Sequence, residues 1–422
     1  MKDLKEFKLF SEYRFLYAST EDYRKTLRFT IRLKDPINVS SLSYAINMIK
    51  KRYPYCCVEL KKNDIGYSYI KNDRDIILTD INKSITLNSE ESNFHLISFQ
   101  YSNDNRIVIN MSHGIADGVA SYALIRTLLY YYITKSYNVE LSKENVRLVE
   151  DEITEEELND PLLNVKNLIN PPKIDLSPGL NIIKENNLQN QGSFIYNLVI
   201  DEKELMDYVK SIKATPNSLI ALLLAKAIKK ENTTSNNIVR ISICVDMRKI
   251  LNTPLAHQSL VSGVMFEYDE NLASLNIEDS IKIIRENISK SLKEPGSSYL
   301  VASSYYLLAM LAKEKDVNKA KYIIKMYHEK IASLFSGVIS YVGKANFGDS
   351  EKYITDFKTE TDTPSPILIE MAAVNGKFYL DFIQNFKDDR YFNDLKEELE
   401  NLKLKCEVRD AIKLDLPKFK PL

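Results

Sequence analysis

The stretch NMSHGIADGVASYALIRTLLYYY, residues 110–132, joins a strand-like run to a long apolar helix-like run through the turn GIADG. His113 stands at that junction, and the chain has only three other histidines, at 95, 257 and 328. The C-terminal ends of strands in α/β sheets are where side chains tend to meet ligands. A neutral imidazole held there titrates near working pH. It can take a proton from an alcohol, amine or thiol, which then attacks an activated acyl group. Asp117, four residues on, falls at the first turn of the next helix, where negative charge is favoured. Gly118 follows it, and the run from Val119 through Leu124 and Leu128 has the spacing of a helix buried on a sheet.

The elements around this junction read as mixed α/β. SSLSYAINMIKKRYP predicts a helix with Leu42, Ala45, Ile46 and Ile49 on one face, Asn38 or Ser40 as cap and Pro54 as stop. CVEL, GYSYIK and DIILTD read as short strands, and FHLISFQY with RIVINM as a hairpin around residues 102–105. Residues 150–190 change character, with acidic EDEITEEELNDP and turn-rich NPPKIDLSPG. The strand and helix pattern then restarts: SFIYNLVI, DEKELMDYVKSIK, TPNSLIALLLAKAIKK with Thr215 or Asn217 near its cap, and NIVRISICVDM. Helices are expected across roughly 278–332, strands at SGVISYVG, PILIEMAAV and KFYLDFIQN, and a closing helix from about Asp389 to Lys405. The expected division is residues 1–150, a crossover at 151–190, and residues 191–422.

A chain of 422 residues is too long for one ordinary core, which supports that division. The net charge of −1 offers no strong field for nucleic acid or an anionic membrane. No apolar run is long enough to span a bilayer. MKDLKEFKLF carries early acids and lacks the apolar core of a signal peptide, so a cytoplasmic protein is expected. Cys56, Cys57, Cys244 and Cys406 follow no metal spacing and read as free thiols in a reducing compartment.

SHGIADG resembles the H-x-x-x-D-G signature of the CoA-dependent acyltransferase superfamily, which includes chloramphenicol and alcohol acetyltransferases and peptide-synthetase condensation domains. IKKRYPYCCVEL, TPNSLIALLLAKAI, ISICVDMRKIL with Arg248, and ISYVGKANFGD look like further segments of that superfamily, in order along the chain. The resemblance implies two chloramphenicol-acetyltransferase-like α/β domains with a tunnel at their interface and His113 near its middle. It implies His113 as general base, Asp117 turned from the substrate and paired with Arg248, and Gly118 allowing close helix approach. Ser340 is the candidate oxyanion donor. Acyl-CoA is implied as co-substrate, with no permanent cofactor and no metal, and an alcohol or amine as acceptor. Condensation domains usually carry a second histidine before the first, where this chain has Ser112. A condensation-type protein using an acyl carrier protein as donor is the alternative, and a non-catalytic relative that binds a ligand or partner is the third reading. Tyr305 and Tyr306 are expected on core or helix faces rather than in an acyl channel, and His257 and His328 in surface or packing roles.

Overall fold

The structure, a computed structural model, describes residues 6–7, 10–19, 24–63, 66–166, 168–171 and 177–420. Its principal strands, in chain order, are β1 (Thr26–Leu33), β2 (Leu78–Asp80), β3 (Ile97–Tyr101), β4 (Arg106–Ser112), β5 (Phe194–Asp201) and β6 (Val239–Asp246). They continue as β7 (Val261–Tyr268), β8 (Gly337–Lys344), β9 (Ile354–Thr361), β10 (Ile367–Val374), β11 (Lys377–Gln384) and β12 (Glu407–Lys413). The helices that matter for the site are α1 (Val39–Arg52), α2 (Gly118–Tyr137), α3 (Pro216–Glu231), α4 (Gly296–Lys313) and α5 (Val317–Leu334).

Helix starts follow from side-chain caps that satisfy otherwise orphaned backbone N–H groups. Asn38 accepts from Ser41 N–H at the start of α1, and Asp117 from Ala120 N–H at the start of α2. Thr215 forms a capping box with Ser218 ahead of α3. The apolar side of α1 packs its buried Leu42, Ala45, Ile46 and Ile49 into the first core.

A five-stranded sheet runs β9-β1-β4-β3-β2, and a seven-stranded sheet runs β7-β6-β8-β10-β11-β5-β12. The expected hairpin is the antiparallel pair β3 and β4. In the larger sheet β6, β8 and β10 are parallel neighbours and the remaining pairs are antiparallel. One face of that sheet buries Ile243, Ile339, Ile369 and Leu380 against α3 and neighbouring helices. Its other face contributes Val199, Ala372 and Tyr379 to the core of the first half.

Two features depart from the sequence reading. Residues 354–361 lie beyond the crossover, yet they pair with β1 and complete the first sheet. Neither β7 nor β9 stands among the expected strands. The crossover is also anchored to the first half: Glu157, buried, takes hydrogen bonds from Arg52 at 2.9 Å on each oxygen and from Tyr55 at 2.7 Å. NPPKIDLSPG lies partly outside the described residues. The four cysteines are unpaired. Among the described residues, no helix is long and apolar enough to cross a membrane.

Candidate active site

β4 ends at Ser112, and the chain turns through residues 113–117 into α2. The turn is pinned by the His113 N–H donating to the Lys25 carbonyl at 2.8 Å and the Ile115 N–H to the Ser112 carbonyl at 3.1 Å. Gly114 is required here by space. A Cβ at that position would lie 2.7 Å from the Tyr69 hydroxyl.

The His113 ring stacks on Phe15 with centroids 4.2 Å apart and planes 14° from parallel. Nδ1 is buried with no hydrogen-bond partner among the described residues, which leaves Nε2 as the nitrogen to meet a ligand. Burial pulls the imidazole down from 6.5 to about 4, and the positive charges of Arg14 and Lys25 pull the same way. Asp117 and the ring's own backbone oppose the shift. The ring is therefore neutral at ordinary pH, the state in which it can accept a proton.

His113 lines a cavity of about 370 Å³. The walls come from both sheets, with Phe29 and Thr359 from the first and Cys244, Ser340 and Glu370 from the second. Ser112 is buried, its N–H bonded to the Leu96 carbonyl at 2.8 Å and its hydroxyl beneath Gly114 N–H at 3.4 Å. The position that holds a first histidine in two-histidine relatives is thus spent here on holding the turn.

Asp117 is 0% exposed and Arg248 3% exposed. Arg248 Nη1 and Nη2 donate to the two Asp117 oxygens at 2.8 and 2.9 Å. The other three Arg248 N–H groups go to the Ala256 carbonyl (3.0 Å), the Gln258 carbonyl (2.9 Å) and Asp246 (2.9 Å). All five guanidinium donors are used. The Asp117 oxygens also accept from the Ala120 N–H at 3.1 Å and the Leu260 N–H at 3.1 Å. With four donors filling its lone pairs, this carboxylate braces the two halves and is not free to move protons. Gly118 permits the closest approach of the halves, because a Cβ there would lie 2.9 Å from Val342 Cγ1 on β8.

Ser340, on β8, lines the cavity with Cys244 and Glu370. Tyr305 and Tyr306 do not line the cavity. Tyr305 packs on Phe10 at 5.6 Å, and Tyr306 is exposed. His257 packs on Tyr55 at 4.4 Å with Nδ1 at 2.5 Å from the Glu157 carbonyl. His328, expected in a surface or packing role, lines the same cavity as His113 together with Tyr327.

Sequence reasoning missed Phe15, Arg14, Lys25, Asp362 and Glu370, all on the cavity wall. Arg14 donates to the Ser259 carbonyl at 2.7 Å and the Val261 carbonyl at 3.1 Å, tying the first residues to the second half. Asp362 accepts from the backbone N–H groups of Arg24 and Lys25. The sequence does signal Glu370, as the one acid within the apolar strand PILIEMAAV.

No family model and no curated sequence matches this chain. Solved structures do. Polyketide synthase associated protein 5 from Mycobacterium tuberculosis superposes with a TM-score of 0.63 at 14% identity, covering 94% of this chain and 97% of that one. The F. sporotrichioides TRI101 complex with coenzyme A and T-2 gives 0.61 at 13%, covering 96% and 99%. The condensation domain from Monacolin K polyketide synthase MokA gives 0.57 at 11%, covering 94% and 96%. The fold is that of the CoA-dependent acyltransferases and condensation domains. It is shared over nearly the whole length, with the cavity described above between the two halves of this acyltransferase-like fold.

Proposed function

We propose that the protein is an acyltransferase that moves an acyl group from a CoA thioester to an alcohol or amine acceptor, with His113 as general base. The observation that carries this reading is a neutral imidazole, fixed at a strand end, whose open edge faces a cavity walled by both sheets. In the reaction, Nε2 takes the proton of the acceptor O–H or N–H as its oxygen or nitrogen attacks the thioester carbonyl. The tetrahedral oxyanion collapses and expels the CoA thiolate. The imidazolium returns its proton to that sulfur, releasing CoA–SH and the ester or amide. Asp117 and Arg248 hold the turn that carries His113, and Gly118 lets α2 seat against β8. Ser340 is the candidate donor to the oxyanion. TRI101, solved with coenzyme A, supports the CoA donor.

A carrier-protein donor is the second reading, favoured by the fold likeness to a condensation domain. The two separate in a free-thiol release assay with a panel of acyl-CoAs and of alcohols and amines. Acceptor-dependent release that falls about 10²–10⁴-fold in His113→Ala is expected. Release unchanged by His113→Ala removes the general-base reading. Absence of release with every acyl-CoA, alongside acyl transfer from acylated carrier protein, selects the second.

A further inference from the structure

One face of the larger sheet carries a polar row that runs across its strands. Cys244 sits opposite Gly263, and the parallel pairing of Ile243 with Ile339 sets Cys244 beside Ser340. Ser340 pairs with Glu370, Glu370 with Asp381, Asp381 with Asn197, and Asn197 with Arg409. Apolar residues flank the row, with Val338, Leu368 and Ile383 on one side and Ala372, Tyr379 and Val199 on the other. At the buried end of the row, the Asp381 carboxyl has its partners within the chain, while Asn197 Oδ1 has none among the described residues. Asp381 accepts from Asn197 Nδ2 at 2.5 Å and from the Thr359 N–H at 2.6 Å. The other end, at Cys244, Ser340 and Glu370, opens on the cavity.

Four carboxyls line that cavity: Asp117, Asp246, Asp362 and Glu370. Arg248 takes the first two, and the backbone N–H groups of Arg24 and Lys25 take the third. Glu370 has no ion pair with any described residue, and Ser340 is its neighbour across the sheet. A carboxyl drawn partly out of water without a cation is costly, and for this half-buried one the surrounding protein raises the pKa to about 7. A ligand that brings a cation relieves that cost, whereas a neutral ligand supplies only hydrogen bonds.

We infer that Glu370 is the acceptor-recognition group of this cavity, binding the ammonium of an amino alcohol or diamine whose second nucleophilic group reaches His113. This rests on the acyltransferase reading. Two of the ammonium N–H groups can be taken by the two Glu370 carboxyl oxygens, which leaves Ser340 to the oxyanion. Apolar flanks on either side disfavour an acceptor polar along its whole length.

The test compares amino alcohols of graded spacer length with the diols of the same length, by CoA release. The wild-type chain should prefer the amino alcohols, with a rate maximum at one spacer length that the diols do not show. Glu370→Gln should lower the ratio of kcat/KM for amino alcohol over diol by about tenfold or more. Should the glutamine variant fail to fold, Glu370→Met and the wild-type spacer profile read the same property. Calorimetric titration of the amino alcohols into His113→Ala reads binding without turnover, and Glu370→Gln added to that chain should weaken it. His113-dependent release with no preference for the cation overturns this inference and leaves the acyltransferase reading standing. Glu370-dependent binding with no release in any pairing leaves the recognition group standing and overturns the acyltransferase reading.

Discussion

At the scale of single residues, the chemistry depends on one imidazole kept neutral by its surroundings. Folding places His113 against Phe15 and beside Arg14 and Lys25, and its pKa falls from 6.5 to about 4. A base must be unprotonated, so activity is present above the folded pKa and is lost as pH falls through it. The kcat/KM profile for a neutral acceptor should therefore stay level through pH 6.5 and drop below about pH 4. A limb near 6.5 in that profile would mean that the ring is solvated instead. Asp117 acts differently. Asp117→Ala leaves the buried Arg248 guanidinium with only the half-exposed Asp246 as counter-ion, and should cost about 3–5 kcal/mol in urea unfolding. His113, Asp117, Gly118 and Arg248 were legible in sequence because each falls in a short local pattern. Phe15 and Lys25 were not, because only the folded chain brings them beside residue 113. Glu370 was legible as an anomaly, an acid where the period of a buried strand demands an apolar side chain.

At the scale of elements, the site is a seam between α2 and β8. Gly118 and Val342 meet there with no room for a methyl group, since a Cβ would come within 2.9 Å. Gly118→Ala should destabilise the protein by about 1–3 kcal/mol through overpacking. Val342→Ala should recover most of that loss in the double variant, read by thermal unfolding of all four chains in the cycle. Helix starts were legible as Asn38 or Ser40 and as Thr215 or Asn217, of which Asn38 and Thr215 are the caps, while Asp117, expected in the first turn, is itself the cap of α2. Strands β7 and β9 were hidden for a physical reason. β7 is an edge strand whose Gly263 and Glu267 are exposed. β9 turns Thr359 and Thr361 toward the cavity. β9 therefore lacks the apolar alternation that marks a half-buried strand, whereas β7 keeps it only over the short run Val264, Phe266 and Tyr268.

At the scale of the molecule, the two halves are joined by more than a linker. β9 crosses into the first sheet, Arg14 bonds the β7 region, and the Asp117–Arg248 pair closes the seam. A fragment of residues 1–190 should accordingly show no cooperative urea transition, with fast amide exchange in Thr26–Leu33. Mixing it with residues 191–422 should restore both. A cooperative transition in the isolated fragment would mean that the first sheet stands without its borrowed strand. Mixed α/β architecture could be read from the order of patterns along the chain. The exchanged strand could not, because sequence distance says nothing about which edge a strand will join.

That exchange also sets a schedule for biosynthesis. β1 emerges from the ribosome early, while its neighbour β9 is encoded some 300 residues later. At about 5–20 residues per second, the nascent chain carries an open strand edge for on the order of tens of seconds. Such an edge is a template for pairing with other chains. Thr26–Leu33 is therefore the segment where a nascent-chain chaperone has most to protect, and slowed translation between residues 33 and 354 would lengthen its exposure.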